Sequence, residues 1–205
     1  MIAIVDYKAG NLTSVKLAFE ALGAPAVVTG DPAAIAAADR VVFPGVGAAQ
    51  SAMDNLRALG LVGAVRAAAA SGKPFIGICL GMQILFEHSE EDGGVDTIGI
   101  LPGQVRRFPS VPGFKVPQIG WNTVQFKDAT PPAPPVGEFY FVQSYYAEIV
   151  PETAGFANYA GIGFTAMVRR GPLWACQFHP EKSGRVGLAL LRDWLSLQPP
   201  SPPPC

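Results

Sequence analysis

Phe75-Ile76-Gly77-Ile78-Cys79-Leu80-Gly81-Met82-Gln83 is a short apolar run that breaks on two glycines and resumes with helical spacing. It reads as a buried strand, a sharp turn at Cys79 and a helix, with Gly77 and Gly81 flanking the elbow. Upstream, the same alternation repeats. Residues 1–6 read as a strand, Asn11 to Leu22 as a helix ending before Gly23, and Ala26–Thr29 as a second strand. Asp31-Pro32 offers an N-cap followed by proline at the first helical position. Val41-Val42-Phe43 is a third strand, ending at Pro44-Gly45-Val46-Gly47. Helical sequence over 49–71 breaks near Gly60, and Pro74–Ile78 is a fourth strand leading into the Cys79 turn. Repeated βα units of this length imply an α/β fold, a mainly parallel central sheet flanked by helices on both faces.

Beyond about residue 93 the texture becomes β-rich, with many Gly and Pro. Gln104–Phe108, Thr123–Phe126, Phe139–Val142, Ala147–Val150, Gly163–Val168 and Leu173–Phe178 read as antiparallel strands. Thr130–Val136 reads as a surface loop, Gly184–Leu197 as a closing helix, and Pro199–Cys205 as a disordered proline-rich tail. The expectation is one domain over residues 1–198.

Open parallel sheets bind ligands beyond the carboxyl ends of their strands. Asp6–Asn11, Pro44–Gly47 and Cys79–Gly81 all lie there, so they should converge on one edge. A cysteine attacks as its thiolate, and a helix N-terminus favours that charge. A thiolate nucleophile also needs a base within about 3 Å. The chain has two histidines, His88 and His179. If Cys79 opens a helix, His88 lies roughly 13 Å along it at about 1.5 Å per residue. The base is therefore His179. Glu181, two residues on, shares its side of an extended segment and can hold the imidazole in its working tautomer. The N–H of Leu80 points toward a forming oxyanion, and Pro44-Gly45-Val46-Gly47 is the source of a second donor, glycines on both sides freeing the Val46 peptide. The chemistry is acyl transfer from a carbonyl compound through a thioester. Singly, each feature is ordinary: a free cysteine in an apolar run is commonly a small buried hydrophobe, and Pro-Gly-x-Gly commonly just a turn. Their order and placement at strand ends make them one constellation.

Bulk properties narrow the class further. At 205 residues with 49% hydrophobic and 15% charged, the chain can bury a full core. A net charge of −1 offers no basic footprint for nucleic acid or an anionic membrane. The N-terminal Met1-Ile2-Ala3-Ile4-Val5 is a strand with no basic region before it, and no apolar stretch is long enough to span a bilayer. Cys176 reads as a small buried residue and Cys205 as part of the tail; the three cysteines form neither a disulfide framework nor a zinc pattern. No metal and no cofactor is expected, and a reducing, cytoplasmic setting fits.

With these residues in view, the chain resembles the class I (triad) glutamine amidotransferases, and more narrowly the glutaminase subunits of imidazole glycerol phosphate synthase. The similarity rests on Asp6-Tyr7-Lys8-Ala9-Gly10-Asn11-Leu12-Thr13-Ser14-Val15, Pro44-Gly45-Val46-Gly47, the Cys79 elbow, Gln118-Ile119-Gly120-Trp121-Asn122, Tyr140-Phe141-Val142-Gln143-Ser144-Tyr145 and Gln177-Phe178-His179-Pro180-Glu181. The resemblance implies a flavodoxin-like sheet and hydrolysis of L-glutamine to glutamate and ammonia. It makes Cys79, His179 and Glu181 the catalytic triad, with Leu80 and a rearranged Val46 peptide as oxyanion hole. Gly47, Gln83, Ser144 and Tyr145 would hold the substrate. It further implies a heterodimer with a (β/α)₈-barrel cyclase subunit that uses the ammonia to make imidazole glycerol phosphate and aminoimidazole carboxamide ribotide in histidine biosynthesis. Asn11, Trp121 and Asn122 would lie at that interface. The chain departs from the family pattern at Lys8, where glycine is usual, and at Gln143, where histidine is frequent. Two rival readings share Cys79 and His179: a glutaminase of the pyridoxal phosphate synthase type, and a cysteine hydrolase outside the amidotransferases. Gly-Trp-Asn argues against the first, and the second has no need of Gln83.

Overall fold

In the computed structural model, residues 1–127 and 136–199 are described. The loop expected at 130–136 and the tail expected at 199–205 fall outside them, apart from Val136 and Pro199. In the N-terminal half, β1 (Ile2–Val5) leads to α1 (Leu12–Ala21) and β2 (Ala26–Thr29) to α2 (Pro32–Ala37). After β3 (Arg40–Gly45) come α3 (Ala49–Ala58) and α4 (Leu61–Ala70), separated by Gly60 at φ 67. β4 (Phe75–Cys79) then enters α5 (Leu80–Gln83). The caps act where the sequence puts them. Asn11 accepts from the Ser14 N–H at 3.4 Å and Asp31 from the Ala33 N–H at 2.9 Å, satisfying donors that a helix start leaves orphaned.

The C-terminal half adds β5 (His88–Ser89), β6 (Val95–Asp96), β7 (Gln104–Arg107), β8 (Gln118–Phe126), β9 (Val136–Gln143), β10 (Tyr145–Ala147), β11 (Thr153–Tyr159), β12 (Ile162–Arg170) and β13 (Leu173–Cys176), then α6 (Gly184–Ser196). One sheet runs β2-β1-β3-β4-β13-β12-β10-β7-β5-β6, with β11, β8 and β9 branching from β12. Its first five strands are parallel to one another. Side chains alternate across them. Ala3, Val5, Val41, Phe43 and Phe75 join a core with residues of α2, α3 and α4. Ile2, Ile4, Val42, Ile76 and Ile78 join a second core with Phe19 of α1 and Leu190, Leu191 and Trp194 of α6. Each such side chain taken from water stabilises the fold by about 1.5–3 kcal/mol. Among the described residues no helix is long and apolar enough to cross a membrane.

Four expectations change. Leu173–Phe178 is not purely antiparallel: β13 pairs antiparallel with β12 but parallel with β4, Cys176 opposite Ile78. All four β13 residues are buried, and such an unbroken apolar run is what a strand covered on both faces carries. β11 was not expected, and the strand expected at Ala147–Val150 lies earlier, at β10. The helix after Cys79 is a single turn: beyond Gln83 the chain tightens, the Leu85 N–H donating to the Met82 carbonyl at 3.0 Å and the Phe86 N–H to the Gln83 carbonyl at 3.2 Å. The arithmetic that placed His88 along it therefore has no helix to run on. His88 instead belongs to β5, its Nδ1 2.9 Å from Asp96 Oδ1.

Candidate active site

Cys79 ends β4 with φ 56 and ψ −116, a conformation that L-residues rarely adopt. Its neighbours force it. A Cβ on Gly81 would collide with the Phe43 carbonyl, and one on Gly45 with the Tyr7 hydroxyl, so β3 and the start of α5 touch backbone to backbone. Held there, the thiol is 8% exposed and faces a cavity of about 270 Å³. Val46, Gly47, Leu80, Gln83, Ser144, Tyr145 and His179 line the same cavity, each named from the sequence. That volume, near the lower end for ligand pockets, suits an amino-acid-sized molecule. Asp6–Asn11 does reach this edge of the sheet, but as buttress: Tyr7 is fully buried against Phe43, ring centroids 5.3 Å apart, and does not line the cavity.

His179 follows β13, and the parallel pairing of β13 with β4 delivers it beside Cys79. Its backbone N–H donates to the Tyr140 carbonyl at 2.9 Å, and its carbonyl accepts from the Ser183 hydroxyl at 2.6 Å. Nδ1 is 2.8 Å from Glu181 Oε1, which leaves the other ring nitrogen for the thiol. The pair is not extended as the spacing suggested. Pro180 opens a 3₁₀ turn over Pro180–Lys182, and the turn folds the carboxylate back onto the ring. Burial disfavours the imidazolium, but the side-chain hydrogen bonds to Cys79 and Glu181 outweigh it and raise His179 from 6.5 to about 10. A one-turn α5 supplies little dipole, so the groups that face the thiol are His179 and Gln177 rather than a long helix.

Three groups in the site escaped the sequence reading. Gln177 Nε2 lies 3.9 Å from Cys79 Sγ, and its Oε1 accepts from Gln83 Nε2 at 2.9 Å. Gln83 Nε2 also donates to the Tyr145 carbonyl at 3.0 Å, so the two glutamines form one buried chain behind the nucleophile. Gln177 precedes His179 by two, as Glu181 follows it by two, and that spacing is the signal that would have found it. The Val142 carbonyl stands 3.9 Å from the thiol. Glu91 lines the cavity and accepts from the Ala49 N–H at 2.7 Å, while burial pushes its carboxyl up from the usual range. Nothing local distinguishes Glu91 from the neighbouring acids; only folding selects it.

The residues expected at a partner surface lie outside this cavity. Asn11 caps α1. Trp121 is 56% exposed with its ring 6.1 Å from Tyr140, and Asn122 donates to the Asn158 carbonyl at 3.0 Å. As successive residues of β8, those two point to opposite faces.

A cysteine on a strained elbow, beside a histidine that a buried carboxylate orients, can carry out acyl transfer. The glutamine amidotransferase class-I family model matches residues 3–196, and the chain belongs to that family. Imidazole glycerol phosphate synthase subunit HisH of Synechococcus elongatus is 49% identical, covering 95% of this chain and 92% of that protein. The HisH subunit of Herpetosiphon aurantiacus is 48% identical over 96% of this chain and 94% of its own. A solved glutamine amidotransferase superposes with a TM-score of 0.74 at 19% identity, covering 95% of this chain and 97% of that one, a likeness of fold. Within the amidotransferases, the chain is a glutaminase subunit of the HisH kind.

Proposed function

We propose that the chain, as a single domain over residues 1–198, hydrolyses L-glutamine at Cys79 and supplies the ammonia to a (β/α)₈-barrel cyclase subunit in the cytoplasm. The observation that carries the reading is the Cys79–His179–Glu181 set at the mouth of an amino-acid-sized cavity. The Cys79 thiolate attacks the γ-carboxamide carbon, and the resulting oxyanion is met by the Leu80 N–H and by the Val46 peptide once it turns inward. As the carbon–nitrogen bond breaks, His179 passes its proton to the nitrogen, which leaves as ammonia. Water then attacks the thioester, with His179 as base and Glu181 holding its tautomer.

Gln83, Gly47 and the Ser144–Tyr145 backbone bind the amino-acid end, and the Glu91 carboxylate is placed to meet the α-ammonium group. Asn11 and the exposed Trp121 are assigned to the partner face, with Asn122, on the other side of β8, holding the strand edge beside it through Asn158. The HisH name of the relatives supports the cyclase as partner, and a net charge of −1 supports neither nucleic acid nor membrane. An electrophilic glutamine analogue, a γ-diazomethyl ketone, tests the site. Peptide mapping should find the adduct on Cys79, with glutamine protecting it. An adduct on buried Cys176, or a Cys79 adduct that glutamine does not slow, would contradict the assignment.

A further inference from the structure

The wall of the cavity carries polar atoms that the protein itself does not pair. Gln143, at the end of β9, is 5% exposed and lines the cavity, yet neither Oε1 nor Nε2 of its side chain has a hydrogen-bond partner among the described residues. Directly opposite on β8 is Gln118, 3% exposed, whose Oε1 is unpartnered in the same way. Its neighbour Pro117 lines the cavity too. A buried amide group without a partner costs about 1–3 kcal/mol, and each such group in a native fold needs an account. Packing alone does not supply one: an apolar side chain of this length would fill the same volume without that penalty.

Position along the chain indicates what satisfies them. At Val142 the backbone passes 3.9 Å from Cys79 Sγ, whereas at Tyr145 it accepts from Gln83 and lies within reach of the Glu91 charge. Gln143 follows Val142 directly, at the thiol end of the cavity. Two of the three unpartnered atoms are carbonyl oxygens, which only accept. The group of a bound glutamine that has N–H bonds to give at the thiol end is its γ-carboxamide.

We propose that Gln143, with Gln118 opposite it on the neighbouring strand, receives the leaving nitrogen of the substrate amide. The inference rests on the glutaminase reading. When the sulfur–carbon bond has formed and the carbon–nitrogen bond breaks, the nitrogen keeps the electron pair and takes a proton from His179. The three N–H groups of the ammonia so formed then face the Gln143 and Gln118 carbonyl oxygens, and no oxidant or reductant is involved. Gln143 thus selects a leaving group that carries N–H bonds of its own before the proton arrives, and Gln118 adds a second free acceptor from across the strand pair.

The test compares two substrates with the same acyl part, L-glutamine and L-glutamate γ-methyl ester, whose methoxy group has no hydrogen to donate until His179 protonates it. In Gln143→Met the ratio of amide to ester turnover should fall about tenfold, the scale of one lost hydrogen bond to a reacting group. Its thermal midpoint should be no lower than that of the parent chain, because the amide atoms removed have no partner to lose. Gln143→Asn, which keeps an amide, should recover part of the ratio. Equal loss on both substrates, or a midpoint lowered by several degrees, would overturn the proposal and leave Gln143 a structural residue. All rates are taken with the barrel cyclase added; if the parent complex turned over neither substrate, the glutaminase reading itself would be at fault.

Discussion

Cys79 holds a left-handed backbone conformation that costs about 1–3 kcal/mol for a side chain other than glycine, and the surrounding strands over-determine it. What that strain provides is a cysteine that lines the cavity from a buried turn. The charge it needs comes from His179, whose imidazolium is held up to about 10 by Cys79 and Glu181 against the opposing effect of burial. The imidazolium must be present to protonate the departing nitrogen, so kcat/KM should decline on the alkaline side as His179 loses its proton near 10. Glu181→Gln removes one raising influence, and the alkaline limb should move to lower pH with kcat reduced; an unmoved limb would contradict the role given to Glu181. The same linkage acts on stability. With the folded value raised above 6.5, the His179 contribution is complete below 6.5 and lost as pH rises through about 10. The gap in thermal midpoint between the parent and Glu181→Gln should therefore narrow over that interval. At this scale the meeting of Cys79, His179 and Glu181 was legible because one cysteine lies on an elbow and only two histidines exist. Glu91, Gln177 and the unpaired amide of Gln143 were not, because their importance is a matter of which strands meet.

The elements depend on glycine at two kinds of place. In Gly81→Ala the new methyl would strike the Phe43 carbonyl, a backbone atom that cannot swing away, so the variant should lose at least about 3 kcal/mol or fail to fold. Gly63, inside α4, has nothing within 4 Å of a built Cβ, and Gly63→Ala should gain about 0.5–1 kcal/mol. Denaturant melts of the pair check both signs at once. Lys8 is strained too, at φ 64, with its N–H donating to the Asp6 carboxylate at 2.9 Å. Lys8→Gly should raise stability by about 1 kcal/mol, the approximate penalty for an L-residue in the left-handed region. The βα alternation and both side-chain caps could be read directly, since period, proline and N-cap chemistry are local signals. The length of α5 could not. A buried apolar run after a turn reads as helix or as coil until its neighbours are known.

At the scale of the molecule, the decisive event is the entry of β13 between β4 and β12. That strand belongs by sequence to the antiparallel half, yet its parallel pairing with β4 sets His179 against a cysteine one hundred residues earlier. The apolar texture of Leu173–Cys176 was visible, but strand order is a long-range property that no local pattern encodes. On the outer face, Trp121 at 56% exposure is a large aromatic with little to cover it in the isolated chain. Such residues anchor interfaces when truncation costs about 2 kcal/mol or more. Trp121→Ala should weaken cyclase binding roughly 30-fold by titration calorimetry, with the thermal midpoint of the free chain unchanged. Ammonia release from L-glutamine, followed with and without the barrel cyclase for the parent chain and for Cys79→Ala, tests the central claim most directly. Release should rise when the cyclase is added and vanish in Cys79→Ala. Release as fast from Cys79→Ala as from the parent, or no faster with the cyclase than without it, would contradict the account.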